Sequence, residues 1–226
     1  MSNEEHILQL VSEKGITAIE VFNKSKTVFE SIKSILQAIE QQLKEKITAI
    51  DARIPVEYDD RGRLEVHFKV ANDVLVFMMH TAVFNFEYAH FITKTSYVKE
   101  NPLRSFCGMI CVYNFLADSI RFSRINDTGA LVARLFVNKE NHFFVEGKKQ
   151  VGILFNDFEN ETVDESKLKK FIEILLIHVL ELDVNVSPFE SMQHITLQQL
   201  LENSSQAGFS TGKRFGFVLP GVSDDV

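Results

Sequence analysis

Between Ile16 and Ala52 the chain runs for 37 residues without a proline or a glycine. Within that run apolar residues recur every seven positions, at Phe22, Phe29, Leu36, Leu43 and Ile50, with Ile19, Ile32 and Ile39 in a second set. A repeat of this period sustained over four cycles specifies a helix and is incompatible with a strand. At ~1.5 Å per residue such a helix is about 55 Å long, more than a compact domain of this size readily covers. Part of it is therefore expected to project and meet another helix. Phe22, Phe29, Ile32, Leu36, Ile39 and Leu43 are the expected contacts of a homo-oligomer. Phenylalanine at two successive seam positions, and the breaks at Ser25 and Lys46, favour helix packing within a folded assembly over a two-stranded zipper. The alternative is one helix laid across a sheet. Upstream, residues 3–14 read as a separate short helix that Gly15 ends.

A helix of this kind needs a body to belong to, and the remaining sequence supplies one. At 226 residues the chain can bury a core without disulfides. Charged residues make up 24% and hydrophobic ones 45%, the balance of a globular protein. The start MSNEEHILQL places acids where a secretory signal carries bases, and no apolar run approaches the ~20 residues of a membrane span. A soluble, cytoplasmic protein that does not engage membrane is expected. Cys107 and Cys111 lie in an apolar stretch and read as buried thiols of a reducing compartment.

After Pro55 the apolar period falls from about 3.6 to 2. IPVEYDDRGRLEVHFKV reads as two strands around a turn at Asp60, Arg61 and Gly62, and VLVFMMHTAVFNF as a third. Asn101 and Pro102 suit the cap and first position of a helix. The run from Phe106 to Leu116 is read as a strand. ALVARLFVNKENHFFVEGKKQVGILF predicts a three-strand meander in which Leu135 and Val137 oppose Val145 and Phe143, with Val151 and Ile153 facing them from the third strand. The same register sets Arg134 against Glu146 on the more polar face. Thr162 and Glu165 match a capping box ahead of an amphipathic helix through Leu168, Phe171, Ile172, Leu175, Leu176 and Val179. Another helix is expected from about Pro188 to Glu202.

The fold class is thus α+β: a long N-terminal helix, a central antiparallel meander, and C-terminal helices packed on the sheet. Residues 1–53 form the helical segment, 54–203 the sheet with its helices, and 204–226 a tail.

Chemical motifs are sparse. Asp127 is followed nineteen positions later by Glu146-Gly147-Lys148. Over those 22 residues the chain resembles nucleases of the PD-(D/E)xK group. The resemblance implies two carboxylates holding a divalent metal and a lysine placing the nucleophile. The structural alternative is a turn after Glu146, with that residue paired to Arg134. GFSTGKR lacks the glycine spacing of a phosphate loop, and the acidic run from Asp157 to Glu165 lacks the central glycine and terminal glutamate of a calcium loop. The histidines have no ligand spacing, so neither metal nor cofactor is expected.

Net charge is −7, yet Lys94 to Gln150 holds nine basic against five acidic residues. Arg121, Arg124, Arg134, Lys148 and Lys149, interleaved with Tyr113, Phe115, Phe122 and Phe136, are the expected binding set for an anionic ligand. A pI near 5.5 argues against a dedicated nucleic-acid binder. The leading expectation is a non-enzymatic, homo-oligomeric binding or regulatory module for an anionic ligand or a partner protein. The alternatives are a metal-dependent nuclease using Asp127, Glu146 and Lys148, and a small-molecule sensor.

Overall fold

The structure, a computed structural model, describes residues 2–147, 150–182 and 196–198. Its first element is one helix, α1 (Asn3–Ile50), not two. Gly15 keeps helical backbone, since the left-handed conformation that ends a helix at glycine occurs at Gly62 and not there. An interior glycine costs only about 1 kcal/mol, too little to stop a helix flanked by good formers. At the start of α1, Ser2 and Glu5 form a reciprocal capping box. The helix ends at Asp51, whose carboxylate is held by Arg53.

Six strands follow: β1 (Val56–Asp60), β2 (Glu65–Val70), β3 (Asp73–Met79), β4 (Cys107–Leu116), β5 (Ala130–Asn138) and β6 (Phe143–Gly147). They form one antiparallel sheet in sequence order, as the alternating pattern predicts. Leu135 pairs with Val145, Val137 with Phe143, and Arg134 with Glu146, all as expected. Between β4 and β5 the register shifts at Val112 and Tyr113, whose partners are Ala133 and Leu131. Val132 is the extra residue of a bulge, and both it and Ala133 are buried.

One sheet face packs on helices. Val21, Phe29, Ile32, Leu36 and Ile39 of α1 are buried there with Phe68, Phe77, Ile110, Leu135 and Phe143. Phe22 and Leu43 pack partly against the same core. The seam expected to meet another helix thus meets the sheet and a later helix of its own chain, where each fully buried apolar side chain contributes roughly 1.5–3 kcal/mol. Helix α5 (Glu165–Leu180) shares this face through Leu168, Phe171, Ile172, Leu175, Leu176 and Val179. Its cap is Asp164, which accepts from the Lys167 amide, two residues after the expected Thr162. Thr162 is already engaged in a β-bridge with His142.

The expected third strand of the C-terminal meander is instead α4 (Gln150–Leu154). Val151 and Phe155, one helical turn apart, are buried, while Ile153 is 75% exposed. A strand would have put all three on one side, and a run this short does not settle its own period. The outer edge of β6 receives irregular backbone instead: the amides of Val145 and Phe143 donate to the carbonyls of Phe155 and Glu161.

The second sheet face is covered over β4–β6 by residues 84–106. That segment contains two 3-10 turns, Phe91–Lys94 and Pro102–Ser105, and α2 (Ser96–Glu100). Asn101 caps the second turn ahead of Pro102, as its sequence suggests. Ile92, Tyr97, Val98, Cys107, Phe136, Phe144 and Phe158 form a smaller core beneath it. A short helix, α3 (Ala117–Arg121), follows β4. The helix expected from Pro188 to Glu202 lies almost wholly outside the described residues, and the tail from 204 wholly outside them. No helix among the described residues is long and apolar enough to cross a membrane.

Candidate functional site

Where residues 84–90 cross the second sheet face, they leave a cleft of about 540 Å³. Its walls include Phe84, Phe86 and His90 from the crossing segment, and Met109, Arg134, Phe136 and Glu146 from β4, β5 and β6. Alternation puts Arg134 and Phe136 on this face of β5, and antiparallel pairing sets Glu146 beside Arg134.

The side chains form a linked set. Arg134 Nη2 is ion-paired with Glu146 Oε2, and His90 Nε2 stands 3.4 Å from Glu146 Oε1. The guanidinium of Arg134 also lies 5.5 Å from the Phe136 ring centre, in cation–π range. Phe86 packs on the His90 ring at 4.5 Å and edge-on to Phe136 at 5.1 Å. His90 Nδ1 is shielded from solvent and has no hydrogen-bond partner among the described residues. The Arg134 side chain remains 44% exposed and that of Glu146 31%, so the pair can still bond a ligand.

Beside the cleft, Cys111 is the Cα partner of Arg134. Burial pushes its thiol up, and Tyr113 and Arg134 oppose that only in part. Burial raises the Cys107 thiol as well.

Chemically, the cleft offers guanidinium donors, a carboxylate acceptor and an imidazole against an aromatic wall. Arg134 is paired with Glu146, and Glu87 adds a second carboxylate to the lining. Such a site suits a flat molecule carrying both acceptor and donor groups better than a highly charged anion.

The expected sites are distributed as follows. Asp127 lies between α3 and β5, where Ser119 Oγ donates to it at 2.6 Å and Arg124 stands 3.9 Å away. Glu146 pairs with Arg134, four residues along β5 from Ala130, which is about 13 Å of strand. The two carboxylates therefore do not converge. Helix α4 follows the Glu146 strand, but Asp127 does not stand beside Glu146. Lys148 and Lys149 lie outside the described residues. Among the described residues no cluster of three or more His, Cys, Asp or Glu can hold a metal ion.

Nor do the arginines share one surface. Arg121 and Arg124 flank Phe122, at 5.2 and 5.6 Å from its ring, beyond the end of β4. Arg134 sits level with Cys111, five residues or about 17 Å back along that strand. The Arg124 side chain is only 9% exposed and serves Asp127.

Sequence reading did not find His90, Phe84 or Phe86. His90 and Glu146 are 56 residues apart, and no spacing rule links them. Comparison of the chain with protein-family models, with curated proteins and with solved structures finds no match, so the cleft is read from its own geometry.

Proposed function

We propose that this chain is a non-enzymatic binding module, carried on a homo-oligomer, whose cleft takes a small planar ligand with both acceptor and donor groups. The observation that carries the reading is the Arg134–Glu146 pair, left partly exposed at an aromatic wall. In this reading Arg134 and His90 meet the ligand's acceptors, Glu146 meets a donor, and Phe86 and Phe136 hold its face. The ligand is a sensed or carried molecule, and the long helix transmits or multiplies its binding. Residence in the cytoplasm belongs to the same proposal, supported by the buried, unlinked state of Cys107 and Cys111.

The test is a thermal-shift screen with purines, pyrimidines, planar amides and aromatic acids at millimolar concentration. A ligand held at 100 times its Kd stabilises the native state by ~2.7 kcal/mol, a shift of several degrees. At least one class should raise Tm in the parent and not in Arg134→Gln or Glu146→Gln. Shifts that survive both substitutions, or no shift with any class, would overturn the ligand reading.

A further inference from the structure

Residues 2–14 of α1 extend beyond the sheet, and every one of them is exposed. Along this arm Leu8, Val11, Gly15, Ala18 and Phe22 recur at alternating steps of three and four, the spacing of one helix face. Ile7 and Ile19 flank that face, and Ile7, Leu8, Val11 and Ile19 are 59, 62, 65 and 64% exposed. It lies beside the line of Val21 and Ser25 that packs on the sheet; Phe22 at its inner end packs partly on the core, while Leu8, Val11 and Ile19 are left uncovered among the described residues.

We infer that this face pairs with the same face of a second copy, antiparallel, with the two helices crossing at Gly15. The inference names the surface for the assembly proposed above and rests on that part of the reading, independently of any ligand in the cleft. Gly15 carries the first argument. A β-carbon there would meet nothing within 4 Å among the described residues, yet glycine inside a helix costs about 1 kcal/mol. Close approach of another helix from outside is what a missing side chain permits.

Self-complementarity carries the second. Gly15 is the midpoint between Val11 and Ile19, between Leu8 and Phe22, and between Glu4 and Lys26. Reversing one helix about Gly15 sets apolar against apolar over about 21 Å and brings acidic Glu4 opposite basic Lys26. A parallel pair would set Glu4 and Glu5 against themselves. One patch matched to itself by a two-fold axis is the isologous arrangement of most dimers.

The experiment begins with light scattering of the full chain at tens of micromolar, where the mass should be twice 25.8 kDa. A monomer overturns both the assembly and this inference. Leu8→Asp with Val11→Asp should halve the mass while leaving the thermal transition of the core in place. If the mass stays doubled, this surface is wrong and the assembly reading stands on another one. Single cysteines then set orientation under mild oxidation. Gly15→Cys should cross-link to itself, Glu4→Cys should cross-link to Lys26→Cys in a mixture, and Glu13→Cys, on the opposite face, should do neither. Self-cross-linking of Leu8→Cys, whose two copies would stand roughly 20 Å apart in the antiparallel pair, overturns the orientation.

Discussion

Gly108 of β4 lies so close beneath Ser25 of α1 that a β-carbon on the glycine would stand 1.9 Å from the serine Oγ and 2.9 Å from its Cβ. Ser25 has nowhere to retreat, because it is buried and its hydroxyl is bonded to the Val21 carbonyl at 2.8 Å. The apparent break in the heptad at Ser25 is therefore a point of close approach between helix and sheet. Gly108→Ala should cost about 2–3 kcal/mol by overpacking, read as a lowered urea midpoint. Combining it with Ser25→Gly should cost less than the sum of the two single changes, because the clash is shared.

Lys33 is anchored on the helix-facing side of the sheet. Its ammonium donates to Asp60 at 2.9 Å and to the Gly62 carbonyl at 2.7 Å, and only 8% of its side chain is exposed, against 45% for Asp60. Removing the acid strands a buried charge, whereas replacing the lysine removes that charge altogether. Asp60→Ala should destabilise by about 1–2 kcal/mol, and Lys33→Met should lie within ~1 kcal/mol of the parent or above it. Chemical denaturation at neutral pH distinguishes the two.

Acid should act through the same residue. The Gly62 amide and the Lys33 ammonium hold the Asp60 carboxyl below its ordinary 3.8. Burial works to raise Glu140, but bonds from Tyr97 and Arg104 outweigh it and hold that carboxyl low as well. A lowered folded-state pKa contributes stability in full above the unfolded value and loses it as pH falls through the folded one. Urea midpoints followed from pH 6 to 2.5 should therefore decline below about pH 4. The decline should be shallower in Asp60→Asn and in Glu140→Gln.

Asn138, with no exposed surface, ties the segment over the second face to the β5–β6 turn. Its Nδ2 donates to Tyr97 Oη and the Arg104 carbonyl, and its Oδ1 accepts from the amides of Glu140 and His142. Asn138→Ala leaves these groups short of partners and should cost about 3 kcal/mol or more. Tyr97→Phe, which keeps the ring stacked 4.2 Å from His142, should cost roughly 1 kcal/mol.

The two thiols should be inert in the native state. Burial raises both, so a disulfide reagent should modify them slowly at pH 7 and at once in urea. Cys111, at 9% exposure against none for Cys107, should be the faster.

These features were unequally legible in the sequence. The antiparallel pairings of β5 with β6 could be read because their alternation allows one register, and a slip by one residue would turn the apolar side out. The buried face of α5 was legible from its period. The fate of the long heptad was not, since the same stripe fits a sheet and a partner helix equally well. α4 was misread because its apolar run is only five or six residues long. The cleft left no trace in spacing, because His90 reaches the sheet through a segment whose turns are set by what they cover. Charge pattern misled too: Arg121, Arg124 and Arg134 are close in sequence, but the first two lie beyond the end of β4 while Arg134 sits in the middle of β5.

The sheet's two outer strands differ in a way that bears on how copies of this chain can meet. β6 is closed off by the backbone of Phe155 and Glu161. β1 has no outer partner among the described residues but carries Glu57, Asp59 and Asp60 within five residues. A neighbouring copy that added its own β1 there would set this acidic strand beside another of the same charge. Among the described residues, fibrillar growth is thereby discouraged at both rims.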